Sequence, residues 1–362
     1  MKLSLKLTGA FLLLTSFLST QAVAADRNHM IGQMLMMGFQ GGSANGASAK
    51  RLAKQIKQGQ VGSVVFLGYN FKSKAAVKAL TNLFKNAAGN NKLFIALDME
   101  GGSVQRLGRK LGYASIPSAR RIAKSQSPAQ AKSTYKKLAL ISKGAGFNMN
   151  LGPVVDLLSN PRNPVIAKWN RAYSPDATKV TNYARAFVKA HDEVGVITVL
   201  KHFPGHGSSV GDSHDGFVNI TNTWKNNELD PFNKLIKSGD APAIMPGHLV
   251  HKRIASDGVP VSISKPAISG MLRKKMGYNG LVISDDLQMG AIAKNYSYKN
   301  TIIRAVNAGV DILMISNSRK PDPNLPAKTI ALISKAIDEG KIAPSKIEAA
   351  YKRIMKAKAT VN

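Results

Sequence analysis

Short apolar runs rich in β-branched residues alternate along this chain with longer segments whose apolar positions recur at helical spacing. Short runs that are apolar at consecutive rather than alternate positions are the pattern of parallel strands buried on both faces. Eight such runs are present: Leu35–Phe39, Val64–Leu67, Leu93–Leu97, Asn148–Leu151 continuing to Val155, Ile197–Leu200, Ala243–Met245, Leu281–Ser284 and Ile312–Ile315. Between them, Ala75–Ala87, Gln130–Lys143, Ala177–Val194, Trp224–Ser238, Lys265–Lys275, Asn300–Ala308 and Pro326–Glu339 are examples of segments that carry enough spaced apolar residues to lie as helices against a sheet. Eight repeats of strand then helix predict an α/β protein of the (β/α)8, TIM-like barrel type. An open doubly wound sheet is the competing architecture. It is disfavoured because no G-x-G-x-x-G follows the first strand and because polar residues end many strands rather than one switch point.

The first 25 residues stand apart from this rhythm. Lys2 and Lys6 precede an apolar stretch interrupted at Thr15, Ser16 and Ser19 and ending in Ala22-Val23-Ala24, which reads as a secretory signal removed by signal peptidase. An uncleaved N-terminal anchor is the alternative. Export to the periplasm or beyond is therefore expected, with residues 26–362 forming one barrel domain and no transmembrane segment remaining after cleavage. The chain has no cysteine, which removes disulfides, thiolate metal sites and a cysteine nucleophile from consideration.

Lysine and arginine outnumber acidic residues to give a net charge of +31, or +29 without Lys2 and Lys6. Such a charge draws a protein toward anionic cell-wall polymers or membrane surfaces. It is equally the product of scattered lysines on solvated helix faces. A nucleic-acid partner is not expected, since the basic residues are dispersed and only 6% of residues are aromatic.

The acidic residues are few, 20 in all, and Asp26 alone precedes Asp98. Several fall where apolar strands end: Asp98 and Glu100 in LFIALDMEGG, Asp156 in LGPVVDL, Asp285 and Asp286 in LVISDDLQM. In a parallel barrel all these ends open on one face, where loops build active sites. Any one of them taken singly reads as a helix cap or loop hydrogen-bonding residue. Together they predict a cleft. The densest polar stretch, VLKHFPGHGSSVGDSHDGF, places Lys201, His202, His206, Asp212, His214 and Asp215 after the fifth strand, the later ones on a Gly- and Ser-rich loop suited to a mobile flap. His202, His206, Asp212 and His214 could alternatively ligate zinc, although the segment lacks the helical H-E-x-x-H arrangement.

KHFPGHG with the DSH that follows it, LDMEGGSVQRL, GPVVDL, NRAYS and VISDDLQMGA, in that consistent set from about Ile31 to Ile315, resemble glycoside hydrolase family 3, and within it the single-domain bacterial β-N-acetylglucosaminidases. The resemblance implies a retaining glycosidase that removes terminal β-linked N-acetylglucosamine from peptidoglycan-derived or chitin-type oligosaccharides and requires no cofactor. It places the nucleophile on Asp285 and a histidine acid/base dyad on His214 and Asp212, and it leaves Asp286 a supporting part. A histidine titrates near neutrality, so it can protonate a departing glycosidic oxygen and then deprotonate water. The same resemblance carries substrate binding to Asp98, Arg106, Arg171, Lys201 and His202; for the two arginines an ion pair holding barrel loops is the competing reading. This chain departs from its relatives at Met99 and Ser103, where glutamine and arginine are frequent, which bears on aglycone preference. Three other functions remain in view: a silent cationic barrel that binds cell wall, a family member of β-glucosidase type, and a metal-dependent hydrolase.

Overall fold

A computed structural model describes residues 26–213 and 216–361. The expected signal segment, residues 1–25, and the flap residues His214 and Asp215 lie outside the described residues. All eight expected strands form: β1 (Leu35–Met37), β2 (Ser63–Val65), β3 (Phe94–Leu97), β4 (Met149–Asn150), β5 (Ile197–Phe203), β6 (Ala243–Pro246), β7 (Leu281–Val282) and β8 (Leu313–Ile315). Their pairing is parallel throughout and follows chain order from β1 to β7, while β8 pairs with β1. A parallel bridge between Ile283 and Ile312, with Ser284 N donating to Ile312 O at 2.9 Å, joins β7 to β8 and closes the ring. Every residue of these eight strands is buried, as expected of parallel strands covered by helices outside and side chains within.

Each strand is followed by a helix: α1 (Ala47–Lys57), α2 (Lys74–Ala88), α3 (Pro128–Gly144), α4 (Ala177–Asp192), α5 (Asp230–Lys237), α6 (Pro266–Lys275), α7 (Tyr298–Ala308) and α8 (Leu325–Asp338), with a further helix, α9 (Pro344–Ala359), after the last. In α1 the buried positions Ala49, Leu52, Ala53 and Ile56 form one stripe at helical spacing while lysines and Arg51 face outward. Starts are fixed locally. Ser73 caps α2, Ser127 and Gln130 form a reciprocal capping box at α3, Asp176 caps α4 and Ser297 caps α7, each accepting from a backbone N–H three residues on. The expected helix Trp224–Ser238 is shorter than its apolar periodicity suggests: a 3₁₀ turn, Asn226–Leu229, leads into α5. The expected helix Lys265–Lys275 is present but wound more loosely, with Met276 N reaching Met271 O five residues back. Among the described residues no helix is long and apolar enough to cross a membrane.

Candidate active site

The C-terminal ends of the strands surround a cavity of about 510 Å³. Asp98, Arg106, Arg171, Lys201, His202, Asp212 and Asp285 all line it, as do Glu100, Trp169, His206, Ser213, Asp286 and three methionines, Met245, Met289 and Met314. The barrel thus gathers every described member of the expected site, drawn from segments up to 187 residues apart between Asp98 and Asp285. His214, the expected acid/base, lies outside the described residues, but its neighbours Asp212 and Ser213 stand at the cavity wall.

One wall is a chain of charges. Lys201 Nζ lies 2.9 Å from Asp98 Oδ1 and 2.9 Å from Glu100 Oε1. The Arg171 guanidinium grips Glu100 with two parallel hydrogen bonds, Nε to Oε2 and Nη2 to Oε1, both 2.8 Å, and Arg106 Nη2 stands 3.9 Å from Asp98 Oδ2. Burial by itself would raise Glu100, but the facing charges of Arg171 and Lys201 outweigh it and hold the carboxyl far below the ordinary carboxylate range. The same pairing raises Lys201 despite its burial. Glu100, Arg171 and Lys201 therefore stay charged near neutrality, and Asp98, which is bound by Lys201 through one oxygen only, presents the other toward Arg106 and the cavity.

The residues that follow Lys201 are organised by Asp156. Its Oδ2 meets His202 Nδ1 at 2.8 Å, and its Oδ1 accepts from His202 N at 3.0 Å and His206 N at 2.8 Å. Although fully buried, it is kept below the usual carboxylate range by these partners, the His202 ring first. His206 pairs through Nδ1 with Ser209 Oγ at 2.6 Å; burial, aided by the neighbouring His202, pushes it down to about 4, so its ring is neutral at physiological pH. Close backbone approach shapes this loop as well. A side chain at Gly207 would collide with the carbonyl of Leu157.

At the end of β7 the two consecutive aspartates separate in role. Asp286 Oδ1 accepts from Gln288 N at 3.1 Å and Ser316 N at 2.9 Å, and its own carbonyl contacts His248 Nε2 at 2.9 Å, so its side chain is spent on holding two loops. Asp286 N donates to Asp285 Oδ1 at 2.8 Å, which steadies the Asp285 carboxyl at the cavity wall.

In the sequence Glu100 and Asp156 are strand-end carboxylates like the others, and their roles appear only once Arg171, Lys201, His202 and His206 are brought to them. Trp169 carried no signal beyond its place two residues before Arg171. Among the described residues no group of three or more histidine and acidic side chains is arranged to hold a metal ion.

The chain matches the family model described as glycosyl hydrolase family 3 N terminal domain over residues 28–357. It is 30% identical to beta-hexosaminidase A of Pseudoalteromonas piscicida over 95% of this chain and 63% of that protein, and 33% identical to a beta-hexosaminidase of Tolumonas auensis over 73% of this chain and 78% of that one. In structure it is similar to a glycoside hydrolase family 3 β-N-acetylglucosaminidase from a Paenibacillus species, with a TM-score of 0.83 at 28% identity, covering 92% of this chain and 62% of that one. It is also similar to a β-N-acetylhexosaminidase from Beutenbergia cavernae, with a TM-score of 0.81 at 28% identity, covering 92% and 98%. The chain thus spans less than two thirds of the first relative in each comparison and nearly all of the Beutenbergia protein. With the barrel, the strand-end carboxylates and a match from residue 28 to residue 357 in agreement, the chain belongs to glycosyl hydrolase family 3.

Proposed function

We propose that this protein is an exported, retaining β-N-acetylglucosaminidase that removes terminal β-linked N-acetylglucosamine from peptidoglycan-derived or chitin-type oligosaccharides. The observation that carries the reading is the placement of Asp285 on a cavity also lined by the Asp98–Lys201–Glu100–Arg171 charge network, in a chain whose relatives include proteins named beta-hexosaminidase. In this scheme the sugar lies over the strand ends. Asp98, Arg106 and Lys201 hold its hydroxyls, since charge-assisted hydrogen bonds are strong and directional, while Arg171 acts through Glu100 and His202 through the Asp156 clamp.

Asp285 attacks the anomeric carbon as the glycosidic bond breaks, and His214, oriented by Asp212, gives a proton to the departing oxygen. Water then attacks the glycosyl-enzyme, His214 takes its proton, and Asp285 leaves with overall retention. His206 does not suit the acid role because burial keeps it neutral down to about pH 4. Export is supported by the lysine-led apolar stretch ending in Ala22-Val23-Ala24, and sequencing of the mature N-terminus is expected to begin at Asp26. The basic charge fits an anionic surface outside the membrane.

The test is hydrolysis of p-nitrophenyl β-N-acetylglucosaminide by the full chain and by Asp285→Asn, with NMR of the first sugar released. Hydrolysis that Asp285→Asn abolishes, with the β-anomer appearing first, is the expected result. The α-anomer first, or an active Asp285→Asn, refutes the mechanism. No cleavage of this glycoside or of the β-glucoside, with salt-sensitive retention on purified sacculi, establishes a wall-binding barrel instead.

A further inference from the structure

The chain has two tryptophans, and they are placed in opposite ways. Trp224 is 6% exposed, its Nε1 donating to Pro204 O at 3.1 Å and its ring set edge-on against His251. Trp169 lines the active-site cavity yet is 47% exposed. An indole left half in water forfeits much of the burial that normally fixes so large a side chain, so its retention at a cavity mouth calls for a ligand that covers it.

The loop that carries Trp169 is built to hold it still. Upstream, the buried Asn163 accepts from Val165 N at 2.9 Å and Ile166 N at 2.7 Å through Oδ1, and its Nδ2 donates to His206 O at 2.8 Å and Ser209 Oγ at 3.0 Å, tying this loop to the KHFPGHG loop. Val165, Ile166 and Ala172 pack with Val154 in a small apolar cluster of their own. Downstream, Asn170 takes a left-handed conformation, φ 55°, and Arg171 is locked to Glu100. Trp169 thus sits between two fixed points, and Lys168 places its Nζ 5.3 Å from the indole centroid, a cation–π contact that restrains the ring.

We infer that Trp169 is a preorganised platform for the ring of a second pyranose, the sugar to which the terminal N-acetylglucosamine is linked, and so a specificity-determining residue for a glycan aglycone. A pyranose offers a face of polarised C–H bonds that suits the electron-rich face of an aromatic ring, and a rigid aromatic at a mouth whose inner walls are charged is the arrangement of a site that reads a sugar beyond the one being cleaved. Because the platform is already ordered, little freedom is lost when the ring docks. The inference rests on the glycosidase reading above.

Its test compares kcat/KM for N,N′-diacetylchitobiose with that for methyl β-N-acetylglucosaminide, whose aglycone is too small to cover an indole, in the full chain, Trp169→Ala and Trp169→Phe. The ratio of disaccharide to methyl glycoside is expected to fall on the order of tenfold in Trp169→Ala and to be largely restored by Trp169→Phe. An unchanged ratio overturns the platform, since loss of loop structure would lower both substrates together. Alongside, the tryptophan emission of Asp285→Asn is titrated with N,N′-diacetylchitobiose; with Trp224 buried, a saturable shift that disappears in the Asp285→Asn, Trp169→Phe double variant reports docking on Trp169. Such a shift without hydrolysis by the full chain retains the platform and rejects the glycosidase; hydrolysis with neither a ratio change nor a shift rejects the platform alone; absence of both hydrolysis and shift rejects both.

Discussion

Glu228→Gln isolates one buried carboxyl group from the rest of the molecule. Glu228 lies in the 3₁₀ turn Asn226–Leu229 that leads into α5, and it is 1% exposed. It is wedged beneath the loop after β5: Gly205 has φ +123°, and a side chain there would begin 2.8 Å from the Glu228 Cβ. Ser208 and the backbone of Lys225 stand beside the carboxyl and offset part of its burial, but among the described residues neither carboxyl oxygen has a hydrogen bond of good geometry. Burial pushes Glu228 up to about 7 from an ordinary 4.5, and the negative charge of Asp156 adds to the rise. A carboxyl whose folded value is raised binds its proton more tightly in the native chain than in the unfolded one. Stability attributable to it is therefore intact below pH 4.5, falls as pH climbs from 4.5 to 7, and is lost in full above, a penalty of about 3 kcal/mol. Glutamine cannot ionise. The difference in unfolding free energy between Glu228→Gln and the parent chain, measured by urea unfolding at pH 4, 6 and 8, is expected to grow by about 3 kcal/mol between pH 4 and pH 8 in favour of the variant. Any constant effect of replacing an acid by an amide cancels in that comparison. A difference that stays flat across the range refutes the reasoning and means that the carboxyl is hydrated or paired in solution.

Two further outcomes follow from the same physics. Lys358 of α9 is 1% exposed, donating to Gln33 Oε1 at 2.6 Å and Gly62 O at 2.7 Å beneath the Phe94 ring, and burial pushes it down to about 7; a lysine depressed in this way is a stability deficit below pH 7 that is recovered between pH 7 and 10.5, so the parent chain is expected to gain about 3 kcal/mol over Lys358→Met between pH 7 and 9.5, and parallel stability curves refute this. Glu100→Gln removes the one negative charge shared by Arg171 and Lys201, leaving two buried cations with a single remaining carboxylate at Asp98; it is expected to destabilise by about 3 kcal/mol in chemical denaturation, and a change under about 1 kcal/mol contradicts the network described here.

The architecture was legible in the sequence because it is repetitive and local. Eight runs such as Val64–Leu67 and Leu281–Ser284 could be buried only as parallel strands, and caps such as Ser127 with Gln130 and Asp176 fix where helices begin whatever lies around them. The cavity lining was legible for a related reason: in a parallel barrel the last residue of every strand reaches one face, so Asp98 and Asp285 meet despite their separation in the chain. The partners were not legible. An ion pair is the competing sequence reading for Arg171, but Glu100 stands 71 residues away, and nothing at either position names the other. Nothing in the local sequence marks Glu228 or Lys358 as buried.

Local sequence thus decided which segments become strands and helices, because backbone propensity, capping and apolar spacing act within a few residues. Only the closed barrel decided which ionisable groups leave water and whom they meet, because a pKa and a salt bridge depend on the surrounding dielectric and on charges that the chain brings in from far away.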